Sequence, residues 1–296
     1  MTIGAKQQRS LAWILLVILT LIWGTSFILI KRGLDAFDPG EVGALRMLSA
    51  GIVLLPFAIT KMKYVKGANW GFLFMVGFIG SFIPAFLFAK AETQLDSALA
   101  GVLNALTPLF VLLVGAIFYV QKFRKSQFLG IFIGFAGTAV LVMAGSWSSL
   151  ANLNAYGLFI LIATLCYGIN VNVIKFNVKG LNAMTVTSVS LGMVTPFALA
   201  YILLFSDVPH QLATQEIARR SLFFIALLGI MSTAVAMALF NKLIQIASPI
   251  FTSSVTYLIP IVAILWGLWD GEVLLPGHYL GMLGVLTGVY LTNRKK

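Results

Sequence analysis

Charge is scarce in this sequence, and acid is scarcest. Only 10% of its 296 residues are charged, and Asp and Glu number 9 against 20 Lys and Arg. A soluble globular chain carries about 25% charged residues, so water could not solvate this surface and lipid must replace it over much of the chain. The same scarcity excludes intrinsic disorder, which needs many charges and little hydrophobicity. A single cysteine, Cys166, cannot form an intramolecular disulfide; lying mid-run, it reads as a small packing residue. The two histidines, His210 and His278, lie outside the apolar runs. No His/Cys/carboxylate cluster has metal-ligand spacing, and no glycine-rich phosphate loop ends in Lys-Ser/Thr. A Ser-His-Asp triad has no local motif to support it. The sequence therefore predicts no enzyme, no metal and no cofactor.

Apolar residues make up 60% of the chain, and the mean hydropathy is +0.99. A helix needs about 20 apolar residues to cross the hydrocarbon core, and ten such runs fit with short connections. They are expected at 11–31, 42–60, 70–90, 97–120, 127–145, 155–175, 183–205, 221–243, 249–269 and 277–293. A β-barrel is excluded because its strands would alternate apolar and polar residues. The first run, Leu11–Ile30, is too long for a signal-peptide core and lacks a small-x-small cleavage site after it, so it reads as a permanent helix. The fold class expected is an all-α polytopic membrane protein of ten transmembrane helices.

A net charge of +11 does not point to nucleic acid, because the basic residues are scattered between apolar runs and not gathered on one face. Positive-inside topology accounts for them. With the N-terminus in the cytoplasm, the cytoplasmic segments hold 14 of the 20 basic residues. All 9 acids fall on the other side. That sorting predicts an even number of crossings, both termini inside, and a multi-pass protein of the cell (inner) membrane.

Internal similarity runs through the chain in order. Leu21–Lys31 (LIWGTSFILIK) pairs with Leu165–Lys175 (LCYGINVNVIK) at an offset of 144. Lys90 and Pro108 pair with Lys242 and Pro260 at an offset of 152, and Gly130 and Gly137 with Gly281 and Gly288 at an offset of 151. The pattern predicts a duplicated five-helix unit, residues 1–148 and 149–296. An odd number of crossings per unit turns the second copy upside down. Inverted repeats of this kind are common in secondary transporters, around a site near the bilayer midplane.

Several segments resemble the drug/metabolite transporter superfamily, in its EamA-type branch. Leu21–Leu34 resembles the family's first helix, with Trp-Gly, small polar residues, an aliphatic stretch and Lys. Asp38–Gly51 resembles its second, where Asp-Pro precedes an Arg-containing apolar run. Ala89–Phe110 and Asn241–Gly267 resemble its two Pro-containing hairpins, and Gly271-Glu272 stands where the family often has Gly-Glu. One departure is Val120-Gln121, where Gly-Glu would be usual. The resemblance covers nearly the whole chain. It implies ten helices in two inverted repeats around a central cavity lined by helices 1, 3, 4, 6, 8 and 9, with helices 5 and 10 as scaffold.

Polar side chains inside apolar runs are costly unless they face a cavity or another helix. Asn104 and Thr107 sit in the fourth run, Thr164, Tyr167, Asn170 and Asn172 in the sixth, Ser232, Thr233 and Asn241 in the eighth, and Thr252–Ser254, Thr256 and Tyr257 in the ninth. Ser and Thr can bond their own helix backbone and read mostly as packing. Asn104, Asn170 and Tyr257 need outside partners. The candidate cavity set is Trp23, Ser26, Phe86, Lys90, Asn104, Tyr167, Asn170, Asn241, Lys242, Ser253 and Tyr257. Trp23 and Tyr167, equivalent in the repeat, are expected to face each other across one cavity. Lys31, Lys90, Lys175 and Lys242 read first as snorkelling from helix ends; the sharper reading sets Lys90 or Lys242 in a vestibule that attracts a carboxylate or phosphate. Arg46 is expected to pair with Glu41 or a backbone carbonyl. Pro108 and Pro260 each remove a helical hydrogen bond and are hinge candidates. Gly130/Gly134 and Gly284/Gly288 permit close helix contact within the chain.

The function expected is a secondary transporter of a small organic solute working by alternating access. The family resemblance implies an exporter of amino acids or related metabolites. A second reading is an exchanger of phosphorylated or nucleotide-linked solutes, which requires basic residues to converge in the cavity. A third, of another class, is a non-transporting membrane scaffold or enzyme. No acid lies deep in any run, so facilitated diffusion or exchange is expected, or weak proton coupling through Glu92 or Asp96. The partners expected are a small-molecule substrate and the lipid bilayer, without nucleic acid, in a monomer or weak homodimer.

Overall fold

Apolar runs without water must satisfy their own backbone N–H and C=O groups, and a helix does this within one segment. The computed structural model of the chain describes residues 5–95, 97–145, 155–269 and 275–293, and among these the regular structure is helical, without strands. Asp96, the expected division at 148/149, Asp270, Gly271-Glu272 and the basic 294–296 run lie outside the described residues, as does the side chain of His278.

In chain order the helices are α1 (Ala5–Gly24), α2 (Ser26–Leu34), α3 (Pro39–Lys61), α4 (Asn69–Ala91), α5 (Ser97–Asn104), α6 (Thr107–Tyr119) and α7 (Lys125–Gly145). They continue as α8 (Gly157–Phe176), α9 (Ala183–Phe205), α10 (Val208–Thr214), α11 (Glu216–Ile246), α12 (Pro249–Ser253), α13 (Val255–Trp269) and α14 (Pro276–Asn293). Among the described residues six stretches are long and apolar enough to cross a membrane: Gln7–Leu34, Pro39–Tyr64, Asn69–Ala91, Gly157–Phe176, Ala183–Phe205 and Glu216–Ile246. Thr107–Tyr119, Pro249–Val262 and Tyr279–Thr292 are shorter apolar helices. Large apolar side chains such as Ile117, Phe118, Leu204 and Phe205 stand outward, 70–74% exposed. An outer surface of that kind is stable against lipid and not against water.

Besides the interruption at Thr25 between α1 and α2, two expected continuous helices are broken. Pro108 has no N–H to offer the carbonyl of Asn104, so the chain turns at Ala105–Leu106 and restarts with Pro108 as the second residue of α6. The hydroxyl of Thr107 donates to the freed Asn104 carbonyl at 2.7 Å. The second break falls at Ser254, between α12 and α13, where Ser253, Ser254 and Thr256 all donate to carbonyls three residues back. Pro260 lies beyond it, inside α13. α4 and α11 each widen into a π-helical stretch, Phe78–Phe82 and Leu228–Val235. Their starts are 150 residues apart, close to the repeat offset, and such stretches recur at functional sites.

Small residues set the closest helix contacts. On α7 and α14, Gly130, Gly137, Gly284 and Gly288 bring backbone against backbone; a Cβ on Gly137 would lie 2.5 Å from Val285 N. On α3 and α9, Gly51 receives the Thr195 side chain and Gly192 lies against Ala58. α1 packs on α11 and α13, while α8 packs on α4 and α6. The connections gather at two ends. At one end Asn69 reaches the Lys179 carbonyl, Gln245 the Leu181 carbonyl, and Trp13 packs on Phe251. At the other, buried Glu41 accepts from the backbone N–H of Asp38 at 2.9 Å and of Asp207 at 3.1 Å, and Ser221 donates to the Arg32 carbonyl.

Candidate functional site

The breaks and the π stretches converge on one cavity of about 810 Å³, counting its open mouth. α1 and α2 contribute Trp23, Ser26, Phe27 and Ile30; α3, Arg46 and Met47; α4, Gly80, Ser81 and Phe88; and α5 with α6, Asn104 and Thr107. α8 adds Tyr167 and Asn170, α11 adds Ser232, Thr233, Met237 and Phe240, and α12 with α13 adds Ser253, Thr256 and Ile259. Trp23 meets Phe240 edge-on at 5.0 Å. Phe88 stacks on Tyr167 at 6.0 Å and meets Phe27 edge-on at 6.2 Å.

The π stretch of α11 is the centre of the polar network. Trp23 Nε1 donates to the Ser232 carbonyl at 2.8 Å. Ser26 Oγ donates to Ser232 Oγ at 2.7 Å, and Arg46 Nε to Thr233 Oγ1 at 2.8 Å. Arg46 therefore does not pair with Glu41, which is occupied by two backbone N–H groups. Five residues on a helix turn through about 500°, so the two side chains leave α3 in directions about 140° apart. Arg46 carries the only formal charge among the described residues of the lining. Asn170 covers Gly80 so closely that a Cβ there would collide with its amide. Its Oδ1 is buried, and none of the described residues donates a hydrogen bond to it.

The EamA-like transporter family profile matches this sequence twice, over residues 10–143 and 155–294. The chain belongs to the EamA-like transporter family. It is thus a membrane transporter of the drug/metabolite transporter superfamily. It is 27% identical over 286 residues to an uncharacterized transporter of Archaeoglobus fulgidus, covering 96% of this chain and 99% of that one. The inner membrane transporter YedA of Escherichia coli K12, also uncharacterized, is 26% identical, with 94% and 89% covered. A protein of Streptantibioticus cattleyicolor named "probable terminal-alkyne amino-acid exporter" is 23% identical, with 95% and 92% covered. A crystal structure 15% identical in sequence shares the fold, with a TM-score of 0.73 over 96% of both chains.

Of the candidates expected from the sequence of this EamA-like transporter, Trp23, Ser26, Asn104, Tyr167, Asn170 and Ser253 meet in the cavity wall. The others lie elsewhere. Phe86 packs on Phe82 and Tyr201. Lys90 is exposed, with Nζ 5.8 Å from the centre of the Tyr156 ring, and Lys242 is exposed at the other end. Asn241 is buried and donates to Thr187 Oγ1 at 2.7 Å. Tyr257 is fully buried and donates to the Ile131 carbonyl, towards α7. Thr107, Ser232, Thr233 and Thr256 bond within the protein and line the cavity as well. α3 joins the wall through Arg46 and Met47, beyond the helices the resemblance implied. The repeat offset of 152 carried a further signal, since it maps Gly80-Ser81 onto Ser232-Thr233 and so onto the cavity.

Proposed function

We propose that this transporter carries a small organic solute, an amino acid or related metabolite, outward across the cell (inner) membrane by alternating access through the central cavity. In this reading ten helices form two inverted five-helix units, residues 1–148 and 149–296, with both termini cytoplasmic. The observation that carries it is the cavity itself, walled by segments of both halves and bordered by two helix breaks and two π stretches. Broken helices around a midplane site are how secondary transporters build binding sites and moving parts. The contacts of α1 with α11 and α13, matched by those of α8 with α4 and α6, support a two-fold relation between the halves. The inner-membrane location and outward direction draw on the names carried by YedA and the Streptantibioticus relative.

Asymmetry between equivalent residues supports a captured intermediate of the cycle. Lys175 Nζ donates to the carbonyls of Ile244 and Ala247, at 2.8 and 2.6 Å, and ties α8 to the end of α11. Its repeat equivalent, Lys31, is exposed. We take the Lys175 end as closed and the Lys31 end as the one free to open. The phosphate-exchanger reading needed Lys90 and Lys242 in the cavity, and both stand outside it.

Solute counterflow in proteoliposomes tests the proposal, with a panel of amino acids, nucleosides and quaternary amines. Saturable counterflow of amino acids, reduced by Trp23→Ala and Asn104→Ala, is the expected result. Equal leak of every solute, or none with any, would overturn it.

A further inference from the structure

Arginine is among the costliest residues to place inside a membrane-spanning helix, and its guanidinium cannot shed its proton to escape that cost. Arg46 is the eighth residue of α3 and faces the cavity. Its Nε is committed to Thr233 Oγ1. Its two Nη groups make no hydrogen bond with the described residues, and no ion pair within 4.0 Å joins it to a described acid. Glu92, at the end of α4, and Tyr167 are the groups whose fields reach it. The Thr233 bond holds the planar fork in one orientation, which suits two parallel bonds to a carboxylate. A second polar feature stands in the same wall. Asn170 is 2% exposed, and its Oδ1 accepts from none of the described residues. A buried acceptor without a donor is costly until something supplies one.

We propose that Arg46, oriented by Thr233, is the carboxylate anchor of the cavity, and that Asn170 Oδ1 receives an N–H donor from the same solute. The inference rests on the transporter reading and narrows it. The solute must present a carboxylate, which the guanidinium fork selects over an amide or an ester. The aromatic and methionine walls take an apolar body. The carboxylate supplies a negative charge in direct contact with Arg46, which no described acid approaches within 4.0 Å.

Binding to the purified full chain in detergent, read by calorimetry, separates the two poles with four probes: 3-phenylpropionate, L-phenylalanine, L-phenylalaninamide and phenethylamine. For the native protein, both carboxylates are expected to bind about 10- to 100-fold more tightly than the amide and the amine, the range for a charge-assisted pair. L-Phenylalanine is expected to exceed 3-phenylpropionate, and Asn170→Leu to remove that excess alone. Arg46→Gln is expected to erase the carboxylate preference, while Arg46→Lys keeps it at weaker affinity. The probe series on the native protein stands even if Arg46→Gln does not fold. Equal binding of carboxylate and amide, or no binding of either carboxylate, overturns the proposal. If the amine binds and is carried while the carboxylates are ignored, the anchor fails and the transporter reading survives. If no solute in the wider panel is carried, the transporter reading itself fails.

Discussion

Single residues in this protein show what a polar group inside a lipid-solvated chain must do. It bonds its own helix backbone, as Thr20 and Thr138 do, finds a partner on another helix, as Asn241 does, or faces the cavity. Trp23, Ser26, Asn104, Tyr167, Asn170 and Ser253 were legible in the sequence because polar or amphipathic groups interrupted apolar runs, and in two cases because the repeat paired them. Arg46 was legible as an intramembrane charge, but not its direction, since helical phase and a partner 187 residues away decide that. Tyr257 needed a partner, as its hydroxyl required, and found it in a neighbouring backbone carbonyl. Glu41 illustrates the structural use of an acid. It ties the start of α3 to the backbone just beyond α9 through two backbone N–H groups. Glu41→Ala is expected to cost about 1–3 kcal/mol and to lower the thermal midpoint in detergent by several degrees. The order of solute preference should stay unchanged. An unchanged midpoint would remove that structural role.

At the scale of elements, apolar runs announced where helices lie, and the breaks within them were only half visible. Pro108 signalled a lost hydrogen bond. Its consequence was a full turn at Ala105–Leu106, because Thr107 could recapture the Asn104 carbonyl. The break at Ser254 precedes Pro260 by six residues and arises among back-bonding hydroxyls, which no periodicity reveals. The π stretches were also silent, since one extra residue in a turn leaves no compositional mark. α10 was missed because seven residues of mixed polarity carry no helical period. The glycine pattern was the clearest signal of packing. Gly288→Val would drive a side chain into the Gly134 backbone and is expected to cost more than about 2 kcal/mol, seen as a lower midpoint and poorer recovery of folded protein. Gly71→Ala, with no described atom within 4 Å of the added Cβ, is the control, and a helical Gly-to-Ala change there should add about 0.5–1 kcal/mol. Equal effects from the two substitutions would contradict the packing account.

The whole molecule is a set of membrane helices arranged so that polar groups from both halves of the sequence meet at one cavity. The charge sorting in the sequence bears on sidedness, which the proposed cycle adopts. The proposed cycle requires the cavity to open to each end in turn, and it assigns the closure of one end to Lys175, which donates to the Ile244 and Ala247 carbonyls. Labelling of Ser232→Cys in a Cys166→Ala background tests this most directly, using a membrane-impermeant maleimide on right-side-out and inside-out vesicles. The account predicts modification from either face, slowed from both when transported solute is present. Modification from one face alone under active exchange, or from neither, would contradict it.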